Sequence, residues 1–118
     1  MAKVLVVEDN PLNMELVLEV LGVHGIIAHE ANDGEEAVIK AEKEDFDLIL
    51  MDIELPKMDG VEATRIIKSK NKNVPIIALT SYAMKGDKER FLAAGFNEYM
   101  SKPIEISEFL RRLEKYCF

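Results

Sequence analysis

Five times in succession a short apolar run is followed by a longer amphipathic one, and few folds accommodate that rhythm. The short runs are "KVLVVE" (3–8), "IIAHEA" (26–31), "DLILM" (47–51), "PIIALT" (75–80) and "EYMS" (98–101). Each has strand length, and three are apolar almost throughout, the pattern of strands buried on both faces. The segments between them have helical spacing. "NPLNMELVLEVLGVHG" opens on Asn10 as N-cap, carries Pro11 at the first helical position and closes near Gly25. "DGEEAVIKAEKE", "DGVEATRIIKSK" and "MKGDKERFLAAG" follow, the last ending on Gly95, with Gly86 weakening its start. "ISEFLRRLEKY" then sets Ile106, Phe109, Leu110 and Leu113 on one helical face.

Five βα units in a row predict a parallel sheet with helices on both faces and right-handed crossovers. Residues 1–118 are the length of one domain, and the reading is a single domain with no second, output domain. With 48% hydrophobic and 31% charged residues the chain has material for a sizeable core. The net charge of −7 argues against nucleic-acid binding and against docking on anionic lipid. No apolar run reaches the ~20 residues of a membrane span, and the first residues lack signal-peptide architecture. Cys117, the only cysteine, cannot form an internal disulfide, so the expected location is cytoplasmic and the thiol incidental.

Ligands of such sheets bind outside the carboxyl ends of the strands. There the sequence places Glu8 and Asp9 after the first strand, Asp52 after the third, Thr80 after the fourth and Lys102 after the fifth. Asp9 or Asn10 alone could be read as a helix cap. An acid at the tip of the buried run "LILMD" cannot, because a charge there costs stability unless compensated. Carboxylates gathered at one edge call for a hard cation, Mg²⁺ or Mn²⁺. Acids, a metal, a hydroxyl and an ammonium together suit phosphoryl transfer, which proceeds by positioning and charge neutralisation.

The elements "VVEDN", "LILMDIELPKMDG", "IIALTSYAMKGD" and "AGFNEYMSKPI" resemble, in order and spacing, those of CheY-like response-regulator receiver domains over essentially the whole chain. They look closest to stand-alone single-domain receivers of the DivK type and to receivers appended to hybrid histidine kinases. The resemblance implies a flavodoxin-like (βα)5 doubly wound sheet of order 2-1-3-4-5. It implies a two-component response regulator, a phospho-acceptor rather than an enzyme. Asp52 would take a phosphoryl group from a histidine kinase or histidine phosphotransfer protein. Asp9 and Asp52 would hold Mg²⁺ by their side chains, Glu8 directly or through water, and Glu54 by its backbone carbonyl. Thr80 and Lys102 would meet phosphoryl oxygens, and the Lys102–Pro103 bond would be cis. Tyr99 would be an aromatic switch residue, turning from exposed to buried beside a target face of the fourth helix, fifth strand and fifth helix. Glu54 and Tyr82 would limit water access and lengthen the life of the phosphoryl group.

For the first helix, a wheel of ~100° per residue puts Leu16, Val17, Val20 and Leu21 on the core face. Met14 and Leu18 then form an outward strip, and with Pro103 and Ile104 a docking patch for the histidine-bearing partner. His24 and His29 read as solvated or structural, the methionines as core filler and "KSKNKN" (68–73) as a solvated loop. Three other classes compete. A haloacid-dehalogenase-type phosphatase would carry D-x-D where this chain has "DIE", and a flavodoxin-like cofactor carrier would need a loop richer in Gly, Ser and Thr. A receiver fold that only binds partners, without phosphorylation, would have no use for the set Asp9, Asp52, Thr80 and Lys102.

Overall fold

The computed structural model describes residues 2–71, 73–81 and 86–118. The elements alternate as expected: β1 (Lys3–Val7), α1 (Pro11–Val23), β2 (Ile27–Ala31), α2 (Gly34–Lys43), β3 (Leu48–Asp52), α3 (Gly60–Lys70), β4 (Ile76–Thr80), α4 (Asp87–Ala94), β5 (Glu98–Ser101) and α5 (Ile106–Cys117). The strands form one parallel sheet in the order β2-β1-β3-β4-β5. The chain thus runs from the middle of the sheet to one edge, then crosses to the other side of β1. The reversal lies between β1 and β3, whose carboxyl ends flank the crevice where ligands of such sheets bind.

Strand side chains alternate between two separate cores, as the pleat requires. Leu5, Val7, Ile49, Met51, Ile76 and Ala78 face α2, α3 and α4, meeting Ala37, Ala63, Ile67 and Phe91. Val4, Val6, Leu48, Leu50, Ile77 and Leu79 face α1 and α5, meeting Val17, Leu21, Phe109 and Leu113. β3 and β4 are buried at every position, which explains their unbroken apolar runs. β2 is an edge strand and carries half-buried His29 and exposed Ile27.

Helix starts follow local chemistry. Asn10 accepts hydrogen bonds from Leu12 N–H (2.9 Å) and Asn13 N–H (3.1 Å), and Pro11 opens α1. Asp33, Asp59 and Glu105 cap α2, α3 and α5 in the same way. α4 instead starts on Gly86, at φ 95°, with no side-chain cap, consistent with the weak start expected there. Its end on Gly95, at φ 111°, is the left-handed stop that glycine favours.

α1 corrects the wheel. Its buried residues are Met14, Val17 and Leu21; Leu16 is 39% exposed, and Leu18 and Val20 are half-buried. The helix is apolar around most of its circumference, so spacing alone could not orient it. The stripe Met14–Val17–Leu21, spaced three and four residues, is the one the sheet covers. Met14 therefore lies at 6% exposure in the core rather than on an outward strip. No helix among the described residues is long and apolar enough to cross a membrane.

Candidate functional site

Three strand tips converge at the carboxyl edge. β1 leads straight into Glu8, pinned there by its N–H on Ala31 O (3.0 Å), and Asn10 N–H donates to Glu8 Oε2 (3.1 Å). β3 delivers Asp52, whose Oδ1 accepts the N–H of Glu54 (3.1 Å). β5 delivers Lys102, held by its N–H on Thr80 O (2.7 Å) and followed by a cis bond to Pro103, as the resemblance implied. Lys102 Nζ stands 2.9 Å from Asp52 Oδ2 and 2.9 Å from Glu8 Oε1. Glu8 and Asp52 are each 1% exposed, and Asp9 is exposed at the mouth.

Two buried carboxylates share one ammonium, so the centre lacks a positive charge. Burial, and then the hydrogen bond with Glu8, pushes Asp52 up to about 7 against the pull of Lys102. Burial opposes the charge of Glu8 too. Hydrogen bonds with Asp52, Lys102 and the Asn10 N–H outweigh it and hold Glu8 below its ordinary value. Burial likewise works against the Lys102 ammonium, but its bonds to the two acids raise it. The two acids are thus coupled, and burial with the neighbouring acid disfavours charge on Asp52 at a place where a cation would favour it. Oxygens of Glu8, Asp9 and Asp52 lie within 4.8 Å of one another, an all-oxygen donor set that suits Mg²⁺ and could hold it.

Among the remaining expected residues, Thr80 lies 2% exposed at the tip of β4, next to β3. Tyr99 is half-buried, its ring 6.0 Å from that of Phe91. Leu18 and Ile104 are half-buried on the α1–α5 core, and Pro103 is exposed. Tyr82 lies outside the described residues. His29 packs edge-on against Phe46 and lies 3.4 Å from Glu44, and His24 stacks edge-on with Phe118; both are remote from the acid cluster.

Two features go beyond what the sequence suggests. A Cβ on Gly60 would stand 2.1 Å from the backbone oxygen of Asp52, so only glycine lets α3 begin this close to the acid. Glu98 also gathers Arg112 (2.7 Å), Lys115 (3.0 Å) and the Tyr116 hydroxyl, tying β5 to α5. The dipeptide "DG" at 59–60 is a visible signal, but on its own it marks only a helix start. The Glu98 cluster has none, because its partners are 14 or more residues away in the chain.

A doubly wound parallel sheet with an acid cluster and a lysine at its switch point defines a phosphoryl-transfer class of site. The response regulator receiver domain model matches residues 4–114, and the chain belongs to that family. It is therefore a receiver domain of two-component signalling. The polar-differentiation response regulator DivK of Brucella anthropi is 40% identical over 115 residues, 96% of this chain and 94% of that one. The receiver domain of sensor histidine kinase PA1611 from Pseudomonas aeruginosa, with magnesium in its active-site cleft, has a TM-score of 0.90 at 42% identity. That match covers 98% of this chain and 96% of that one. The receiver of Ssk1 from Saccharomyces cerevisiae, crystallised with the histidine phosphotransfer protein Ypd1, has a TM-score of 0.92 at 31% identity. There the coverage is 98% of this chain and 88% of that one.

Proposed function

We propose that Asp52 accepts the phosphoryl group and that the other edge residues serve that step. The observation that carries the reading is the buried Asp52 carboxylate, 2.9 Å from the Lys102 ammonium and within 4.8 Å of Glu8 and Asp9. In the transfer a carboxylate oxygen of Asp52 forms a bond to phosphorus. The P–N bond to the donor histidine breaks, and the imidazole keeps the electron pair. Asp9, Asp52 and the Glu54 carbonyl, with Glu8 directly or through water, would hold Mg²⁺, which when bound would neutralise charge at the phosphoryl oxygens. Lys102 neutralises another oxygen and the Thr80 hydroxyl donates to a third. Glu54 N–H, already on Asp52 Oδ1, fixes the direction of the carboxylate. Asp52 takes one phosphoryl group and carries it until hydrolysis returns the carboxylate, so the chain acts as an acceptor and switch rather than a turnover catalyst.

The donor is a histidine kinase or a histidine phosphotransfer protein, a reading supported by the Ssk1 receiver crystallised with Ypd1. Its docking surface is the rim formed by Leu18, Pro103 and Ile104, with Met14 beneath it as core. Phosphorylation draws Thr80 toward the new oxygens, and Tyr99 turns further inward toward Phe91. That movement re-forms the face of α4, β5 and α5 for a downstream protein.

Asp52→Asn should abolish phosphorylation by acetyl phosphate with Mg²⁺, read by intact-protein mass spectrometry, while circular dichroism stays native. Undiminished phosphate on the Asn variant would remove Asp52 from this role. A wild-type chain that takes no phosphate at all would leave a receiver fold that works by binding alone.

A further inference from the structure

The loop between β3 and α3, residues 53–59, carries the Glu54 N–H and carbonyl, and most of it is exposed. Glu54, Pro56, Lys57 and Asp59 all face solvent, so packing of their side chains does little to fix the backbone. Ile53, Leu55 and Met58 pack against the core between them, Ile53 N–H bonds Leu79 O (3.0 Å), and two glycines set how closely the loop can seat. At its end Gly60 donates its N–H to Ile53 O (3.0 Å) and leaves room for the Asp52 carbonyl. Gly34, the first residue of α2, likewise leaves room for the Met58 carbonyl, one residue before the loop's end. A Cβ on Gly34 would lie 2.1 Å from Met58 O and 2.9 Å from Met58 C, whereas ordinary contact begins at 3.4 Å. Asp33, just before it, caps α2 through Glu36 N–H (2.8 Å) and lies 3.7 Å from Lys57 Nζ. Lys57 itself holds φ 65°, a left-handed conformation that a lysine adopts only when its neighbours require it.

We infer that Gly34 is a positioning residue for the metal site: its missing side chain lets the Met58 carbonyl seat on α2 and thereby fixes the backbone at Glu54. This inference rests on the proposed role of the Glu54 carbonyl and takes it one layer outward. Any side chain at position 34 forces α2 and the loop apart by about 1 Å, a displacement sufficient to cost much of a positioned site's function. The loop yields, because α2 is locked one turn later by fully buried Ala37. Met58 packs only partly against the core and is the softer side of the contact. The shift is relayed four residues back, through the turn closed by Met58 N–H on Pro56 O (2.8 Å), to Glu54. Groups that orient metal ligands in this indirect way affect affinity by about 10–100-fold.

The test compares wild type, Gly34→Ala and Asp33→Ser, the serine keeping a cap on α2 while deleting the partner of Lys57. Magnesium chloride titrated calorimetrically into unphosphorylated protein should bind Gly34→Ala about tenfold more weakly. The Mg²⁺ concentration giving half-maximal phosphorylation by acetyl phosphate should rise by the same factor, with the plateau changed by less than about twofold. Asp33→Ser should weaken Mg²⁺ by about twofold, the scale of an exposed ion pair. A folded Gly34→Ala protein with wild-type Mg²⁺ affinity overturns the inference, even if its melting temperature has dropped. Where Gly34→Ala does not fold, an unchanged affinity in Asp33→Ser overturns it. Wild-type protein that binds Mg²⁺ but takes no phosphate would instead break the proposed function, leaving the calorimetric comparison to decide the role of Gly34.

Discussion

Lys102 Nζ lies 2.9 Å from Asp52 Oδ2 although 50 residues separate the two, and the same ammonium is 2.9 Å from Glu8. One cation thus holds two buried acids at the tips of β1 and β3 from a perch on β5. Removing it leaves the acids to compensate one another by protonation. Lys102→Met should therefore lower metal-free stability by about 2 kcal/mol, the scale of a hydrogen bond to a charged group. Saturating Mg²⁺ should restore most of that loss, because the metal supplies the missing positive charge. Urea unfolding with and without Mg²⁺ checks this; a loss that Mg²⁺ leaves untouched would show that the lysine acts by packing.

The glycines give a contrast that depends on geometry rather than residue type. Gly60→Ala would drive a methyl into the Asp52 carbonyl and should cost about 1–3 kcal/mol, with slower phosphorylation. On α1, a Cβ added at Gly22 would meet nothing within 4 Å. Gly22→Ala should raise stability by about 0.5–1 kcal/mol through helix propensity alone. Thermal unfolding of both variants reads the two signs, and equal signs would refute the close approach at Gly60.

Glu98 governs an acid limb of stability. Burial alone would raise it, but the Tyr116 hydroxyl first, then Lys115 and Arg112, hold it below its ordinary value of 4.5. Burial, and then the same contact, raises Tyr116 above the ordinary phenol value. A lowered carboxylate stabilises the fold fully above its unfolded value and loses that contribution as the pH falls through the folded one. Glu98→Gln should thus destabilise by about 1 kcal/mol at neutral pH, and the difference from wild type should shrink below pH 4.5. Denaturant titrations at the two extremes measure it, and a difference independent of pH would mean that charge plays no part.

What can be read from the sequence is what spacing encodes. The order of elements, the strand-end acids and Lys102 all sit in short local patterns, whereas the cis bond to Pro103 is implied only by the family resemblance. The orientation of α1 does not, because eight of its thirteen residues are apolar and several stripes compete. The wheel consequently sets Met14 outside, and the sheet takes it inside. Contacts between distant segments, Gly34 on Met58 or Glu98 on Arg112, leave no periodic trace in a single chain. They exist only once the crossovers have stacked α2 on the β3–α3 loop and α5 on β5.

Tyr99 supplies a prediction about the switch. Its ring is half-buried, tilted 57° to that of Phe91 at 6.0 Å. Thr80 pairs in register with Ser101, two residues beyond Tyr99, so motion at the β4 tip reaches the ring through one strand. Binding of beryllofluoride with Mg²⁺ should deepen the ring against Phe91, seen as shifted Tyr99 and Phe91 resonances. Unmoved resonances, with Asp52 shown to be occupied, would remove Tyr99 from the switch.

The docking rim is tested by separating a large donor from a small one. Leu18 and Ile104 both pack on the α1–α5 core while keeping part of their surface outside, and Pro103 is exposed beside Lys102. A helical donor laid on this rim could bring its histidine to Asp52, whereas acetyl phosphate needs only the open mouth at Asp9. Leu18→Glu with Ile104→Glu should slow transfer from a phosphorylated histidine protein at least tenfold, by adding charge and removing apolar contact. Phosphorylation by acetyl phosphate should stay within about twofold of wild type. Met14→Glu supplies the opposite signature. At 6% exposure beside Val17 and Leu21, a carboxylate there loses most of its hydration and has the acids Glu8 and Asp9 near it, so stability and both reactions should fall together. If the Leu18 and Ile104 changes also reduce both donors equally, they act on the fold, and the rim is not where the histidine-bearing protein docks.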